Sequence, residues 1–590
     1  SHLEAEAYDS ARVAADRTLR ADSSSMAAWA ILGAVAWSTA DSAGIRAAQR
    51  GAESVNPRPA EFYAELADAA GRNRRYAEAL ILARKAVECD STSVRALGII
   101  GTNQLRLGDI AGGRASLERA FALDPYNIWH KNTLDMLDEL DKATTVDRGR
   151  FRFVVPAAEA DLLVMYLGPL LEQAYDTLSK RYDYRPPTPI RIEVFRRHAD
   201  FSVRTVGLAG LGALGVSFGS TLAMDAPSAR DRGAFNFGST AWHELAHTFT
   251  LGRSNSRVPR WVSEGLSVFE ERRGRQGWGA DVTVEFLAAY KGGLIRKVSE
   301  LNNGFVRARY PGELQNSYYA ASLVCEMIFA ERGATALTAL LTAYGDGLDT
   351  PAAFQRVFGT SMDAFDKRFD AWMRARFALP MRSIANAEEH KPVTGSFVNA
   401  TVEGTELYQT KKLDSARVVL ERAQAMFPEY SGAKGPAWYL ANVQRERGNT
   451  RAAVEQLSRI TLRNETAWDA NQLEAELRGQ LNDFAGAAAA MERMLWISPY
   501  EQALHTAMAD AAARAGDHAR AIRERRAVIA LNPADRLEAR YQLARALAAS
   551  GDIAGARKEI LGVLELAPGF EKAQALLLEL RGRLPGGTTR

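Results

Sequence analysis

Acidic or amide residues close helical runs of this chain at a fixed interval. Asp22, Asn56, Asp90 and Asp124 stand 34 residues apart and end "RTLRAD", "GAESVN", "KAVECD" and "RAFALD". Small residues keep the same register: Gly33, Ala67 and Gly101, and again Ala52, Ala86 and Ala120. A period of roughly 20–50 residues marks stacked copies of one supersecondary unit, none of which buries its apolar face alone. Small side chains at fixed places let the two helices of a unit approach closely, and Pro57 and Pro125 stop the second helix.

The pattern resembles the tetratricopeptide repeat. "WAILG" (29–33) matches that family's Trp-x-x-Leu-Gly opening, and the likeness covers about residues 1–140. It returns over 400–590, where Pro499, Pro533 and Pro568 are 34 and 35 apart. "GDIAG" occurs twice, at 108–112 and 551–555, each time between paired helices. The resemblance implies about four repeats before the middle of the chain and about five after it. Such arrays curve around a concave groove, which serves as scaffold or holds a protein or peptide partner.

Composition excludes some functions. Across 590 residues, 47% hydrophobic and 25% charged content suit a soluble globular protein. A net charge of only +3, with 74 basic residues, is no electrostatic footprint for nucleic acid. "RNRR" (72–75) and "RERR" (523–526) lie in helical patterns and read as solvated faces. Cys89 and Cys325 are too few and too far apart for a disulfide framework or a cysteine metal site. The longest uncharged window, Thr205 to Met224, is broken by five glycines, which argues against a transmembrane segment. The chain opens on Ser, which allows a removed leader, and abundant Ala with Arg over Lys fits a GC-rich bacterial genome. A periplasmic or otherwise exported location is slightly favoured over the cytoplasm.

From about Gly149 the repeat stops. "RFRFVV" (150–155) and "PIRIEVF" (189–195) alternate like strands, with an amphipathic helix over 157–181 between them. "SMDAFDKRFDAWMRARF" (361–377) reads as a last helix. The expected fold is therefore mostly α. A central α+β domain (146–380) lies between arrays over 1–145 and 399–590, with a linker over 381–398. "GLGALG" (210–215) fits a dinucleotide fingerprint, but "VSFGSTLAMD" follows it as strand and turn where that fingerprint needs a helix.

The densest chemistry is "WHELAHTFTLGRSNSRVPRWVSEGLSVFEE" (242–271). On a helix, His243 and His247 share one face, so both imidazoles can reach one metal at about 2.0–2.1 Å. Glu244 stands where it can reach water at that metal. No Pro or Gly interrupts Ser239 to Leu251, and Ser239 or Thr240 could cap the helix. A catalytic zinc needs a third protein ligand. Thr248 to Ser263 offers no Asp, Glu, His or Cys, so Glu264 is the first candidate. Pro259 suits the first turn of a second helix that could carry Glu264 back antiparallel. Glu270 and Glu271 are rivals, read as solvated or supporting groups.

Residues 239–271 resemble the gluzincin zinc metallopeptidases, and the Trp-x-x-Glu-Gly step at Trp261, Glu264 and Gly265 resembles their aminopeptidase branch. The likeness spans about 148–378. It implies a Zn2+ held by His243, His247 and Glu264, with Glu244 as general base toward a zinc-activated water that attacks a peptide or protein substrate. "NSYYAASLV" (316–324) resembles the segment with the transition-state tyrosine; Tyr319 is the better match and Tyr318 the rival. "LAMDAPS" (222–228) falls where relatives have a substrate-lining edge strand, but lacks the glutamate motif that captures a free amino terminus. An endopeptidase is therefore favoured over an aminopeptidase. Two departures stand out. The 16 residues between His247 and Glu264 are fewer than in the aminopeptidase branch, and Val268 replaces the Asp of thermolysin-like members. The alternative is a tetratricopeptide scaffold whose middle domain is catalytically inactive.

Overall fold

The computed structural model describes residues 3, 6–387 and 393–582. The residues that close each period do so by capping. Asp22, Asn56, Asp90 and Asp124 are the C-caps of helices Tyr8–Ala21, Ser42–Val55, Tyr76–Cys89 and Ile110–Leu123. Met26–Ser38, Ala60–Arg72 and Val94–Arg106 pair with the last three as hairpins. The N-terminal array thus holds three complete hairpins, flanked by single helices Tyr8–Ala21 and Ile128–Leu140, where about four were expected. Gly33 permits one close approach: a Cβ there would lie 2.5 Å from the Phe62 ring. The two "GDIAG" copies make one turn twice. Gly108 and Gly551 take positive φ, and Asp109 and Asp552 accept the N–H of Gly112 and Gly555. Five hairpins follow from Ser396 to Leu566, then helix Glu571–Gly582.

Between the arrays lies one five-stranded sheet: β1 (Thr144–Arg148), β2 (Phe151–Val155), β3 (Ile190–Phe195), β4 (Gly215–Ser217) and β5 (Thr221–Asp225). Its order is β1-β2-β3-β5-β4, with β2, β3 and β5 parallel and the outer strands antiparallel. This corrects the expected edge strand. "LAMD" belongs to β5, buried between β3 and β4, and the edge beside the histidines is β4. β1 was not anticipated; its half-exposed, charged sequence carries no apolar alternation.

Alternation along the strands divides the sheet between two covers. Phe151, Phe153, Val155, Ile192, Val194, Leu222 and Met224 face the core of helix Ala160–Tyr182. Val154, Phe195 and Ala223 face the other way, onto Leu105, Leu117, Met136 and Leu137 of the N-terminal array. The C-terminal array joins the main core through Trp496, whose ring meets Phe237 at 5.0 Å, Tyr166 at 5.6 Å and Trp278 at 5.8 Å. The expected linker does not separate two cores, since helix Ser396–Gln409 begins within it and Phe397 joins the same core. Residues 388–392 of that linker lie outside the described residues. No helix among the described residues is long and apolar enough to cross a membrane.

Candidate metal centre

The helix that carries the histidines runs Phe237–Arg253. Asn236 caps it by accepting the Ser239 N–H at 3.0 Å, three or four residues before the expected cap. After a turn with Asn255 and Ser256 in the left-handed region, helix Arg260–Gly274 starts behind Pro259. The two helices pack side by side. Gly265 lets the second press against helix Glu313–Gly345: a Cβ would lie 2.7 Å from the Ala321 backbone.

This packing brings Glu264 to the histidines. Its Oε2 lies 3.1 Å from His247 Nε2 and 3.4 Å from His243 Nε2, and the two nitrogens are 3.2 Å apart. Ligands placed tetrahedrally about 2.0–2.1 Å from zinc are separated by about 3.3 Å. Two imidazoles and a carboxylate at these spacings fit zinc in both donor chemistry and size. Among the described residues they are the one such group of three whose ligand atoms all lie within 4.8 Å of one another.

The candidate ligand side chains are themselves held. His243 Nδ1 meets Glu271 Oε1 at 2.6 Å, and Ser239 Oγ donates to the other oxygen at 2.6 Å. His247 Nδ1 meets Ser263 Oγ at 2.7 Å. Such partners fix each ring's tautomer and turn its other nitrogen into the cage. Glu271 is thus the support that Val268 cannot give, two helical turns after Glu264. It is not solvated, and neither is Glu270, which binds Arg181 and accepts from Tyr182 at 2.7 Å. The C-terminal array reaches the same neighbourhood: Glu465 accepts the Gly279 N–H at 2.9 Å, and burial together with nearby Glu271 raises its pKa.

Burial pushes Glu244 up to about 7, with His243 pulling the other way. Gly215 of β4 passes directly over it, since a Cβ there would lie 2.7 Å from the Glu244 side chain. Glu264 behaves oppositely. Burial alone would raise it, but His247, His243 and Arg74 hold it well below the usual carboxylate range. Arg74 Nη2 donates to Glu264 Oε1 at 3.2 Å, and Arg260 Nε donates to the same oxygen at 3.3 Å.

Two sequence expectations need correction. Tyr319 is turned away from the histidines: it packs edge-on against Phe286 at 4.7 Å, with Arg272 over its ring. Tyr318 is the tyrosine whose ring lies 6.4 Å from that of His243, and burial and Glu264 raise its pKa. The basic runs are also not simply solvated faces. Arg74 turns in to Glu264, and Arg523 bonds Glu524 at 2.6 Å. For Arg74 a signal existed in the sequence: it occupies the turn position that holds Gly108 one repeat later.

With this geometry defined, comparison with known proteins identifies the repeats. It carries tetratricopeptide repeats: residues 506–569 match the family model described as "Tetratricopeptide repeat". Among solved structures it is similar to YrrB, titled a TPR protein with an unusual peptide-binding site (13% identity, 30% of this chain and 90% of that one, TM-score 0.22). It is also similar to TTC0263, a thermophilic TPR protein from Thermus thermophilus (20% identity, 31% and 98%, TM-score 0.18). The Cut9–Hcn1 structure aligns over 98% of this chain and 88% of that one, at 11% identity and TM-score 0.20. Comparison with curated proteins gives no match. The family match concerns the repeats.

Proposed function

We propose that this chain is a tetratricopeptide-repeat protein whose middle region is a zinc-dependent peptidase. The observation that carries the reading is the cage of His243, His247 and Glu264, with edges of 3.1 to 3.4 Å and buried Glu244 beside it. His243, His247 and Glu264 would hold the ion. Zinc bound there supplies Lewis-acid polarisation of a carbonyl and makes water more acidic. Glu244 takes the proton of the attacking water and returns it to the leaving amine, a role suited to a buried carboxyl group beside the cage. Tyr318 donates its hydroxyl hydrogen bond to the oxyanion. β4 lies beside Glu244 and offers a strand edge along which an extended peptide can lie.

A second reading is favoured by the repeat match at 506–569: a repeat scaffold that engages a protein partner, with a middle region that does not hydrolyse. Two measurements on the full chain separate the readings. Protein purified without added metal is assayed for zinc by elemental analysis, and a peptide library is digested by the parent and by Glu244→Gln. The peptidase reading expects about one zinc per chain in both proteins and cleavage by the parent alone. Zinc without cleavage, or no zinc, leaves the scaffold.

A further inference from the structure

We propose that Arg74 is a positioning residue of the metal centre, supplied by the N-terminal array. It holds the outer oxygen of Glu264 so that the inner oxygen faces the histidines. This rests on the zinc reading above.

Arg74 sits in the turn between helices Ala60–Arg72 and Tyr76–Cys89, with φ at +60°. The matching turns, 34 residues to either side, hold Ala40 at +56° and Gly108 at +87°. In the C-terminal array the equivalent turns hold Lys411, Gly448, Asn482, Gly516 and Gly551, all at positive φ. L side chains are strained in this region, and glycine is free of that strain. An arginine here works against its own turn, as Ala40, Lys411 and Asn482 do in theirs, and its contacts are what set it apart.

Its neighbours stay within the array. Arg72 pairs with Asp68, and Arg75 pairs with Glu78 and lies 4.2 Å from the centre of the Trp37 ring. Arg74 alone in that run crosses to the middle region, where it meets Glu264 Oε1 beside Arg260. Two donors on Oε1 leave Oε2 to face His243 and His247. The array is pinned on both sides of this contact. Arg204 donates to the Leu105 carbonyl on the sheet side, and Asn302 donates to Glu6 on the other. Whatever shifts this array therefore shifts the support of a metal ligand.

The test uses the full chain and zinc itself, in competition with a chromophoric chelator. Arg74→Gly suits the turn conformation, as Gly108 does, so the backbone has no reason to misfold. It should bind zinc roughly 10–100-fold more weakly, at unchanged stoichiometry and unchanged circular dichroism. Arg74→Lys should recover part of that loss. Asn132→Ala removes an array contact to Gly207, which ends helix His198–Val206 and is remote in sequence from Glu264, and should leave zinc affinity at the parent value. Parent-like affinity in Arg74→Gly overturns the proposal, as does an equal loss in Asn132→Ala, which would make the effect one of array docking. If the parent binds no zinc, or binds it unchanged after His247→Ala, the zinc reading itself falls and takes this proposal with it.

Discussion

At the scale of single residues, the centre divides its labour by atom. Glu264 turns one oxygen to the imidazoles and the other to two guanidinium groups. His243 presents Nε2 to the cage and keeps Nδ1 on Glu271. Glu271→Ala should therefore weaken zinc binding by about 10–100-fold in chelator competition, while Glu271→Gln, which keeps an acceptor, should lose less. The two tyrosines give a paired prediction. Tyr318→Phe should lower kcat by about 10²–10³ with KM little changed, and Tyr319→Phe should leave kcat near the parent value. A loss confined to Tyr319→Phe in steady-state kinetics would reverse that assignment. Neighbours on a helix point about 100° apart, because there are about 3.6 residues per turn. Sequence similarity narrowed the choice to this pair. Packing against Phe286 turned Tyr319 aside and left Tyr318 beside His243.

At the scale of elements, the centre is two packed helices pressed onto a third. Gly265 sets the spacing of that contact. Gly265→Ala would place a methyl group against the Ala321 backbone and should destabilise the fold by about 1–3 kcal/mol, read as a lower denaturant midpoint. An unchanged midpoint would mean that the helices can separate freely at this point. Much at this scale was legible in advance. The spacing of His243 and His247 is a property of one helix, and the 34-residue caps are properties of one hairpin. The sheet order was not. β4 and β5 are joined by a tight turn, and nothing in either strand tells which of them pairs with β3. The short "GVS" of β4 took the edge, and the apolar "TLAMD" went inside, where both its faces are covered.

At the scale of the whole molecule, both arrays are built onto the middle region. The N-terminal array covers one face of the sheet, and the C-terminal array joins the main core. One clasp of the second contact is ionisable. Glu524 accepts from Tyr166 at 2.6 Å, meets His505 at 2.6 Å and bonds Arg523. Burial alone would raise its pKa, but the His505 hydrogen bond and the Arg523 charge outweigh burial and hold it below the usual value. A depressed carboxylate contributes stability that is complete above its unfolded value of about 4.3 and is lost as pH falls through the folded one. Glu524→Gln should thus be less stable than the parent at pH 7, by about 1.5–3 kcal/mol in denaturant melts. The gap should close as the pH is taken below about 4. A gap independent of pH would show that the carboxylate charge is not what holds this contact.

By itself the sequence determined what depends on contacts within one or two helical turns or on the 34-residue period: the repeat arrays, the caps that close them and the histidine pair, with Glu264 offered as the first candidate to meet that pair. Only the tertiary structure decided which strand forms the edge, which tyrosine faces the cage, that Glu271 supports His243, and that Arg74 reaches in from a repeat 190 residues away. Periodicity and capping are local and leave a mark on neighbouring residues. Partners that meet through the packing of separate elements are not named by the sequence until those elements are placed: the turn position of Arg74 marks it as unlike Gly108 but does not point to Glu264.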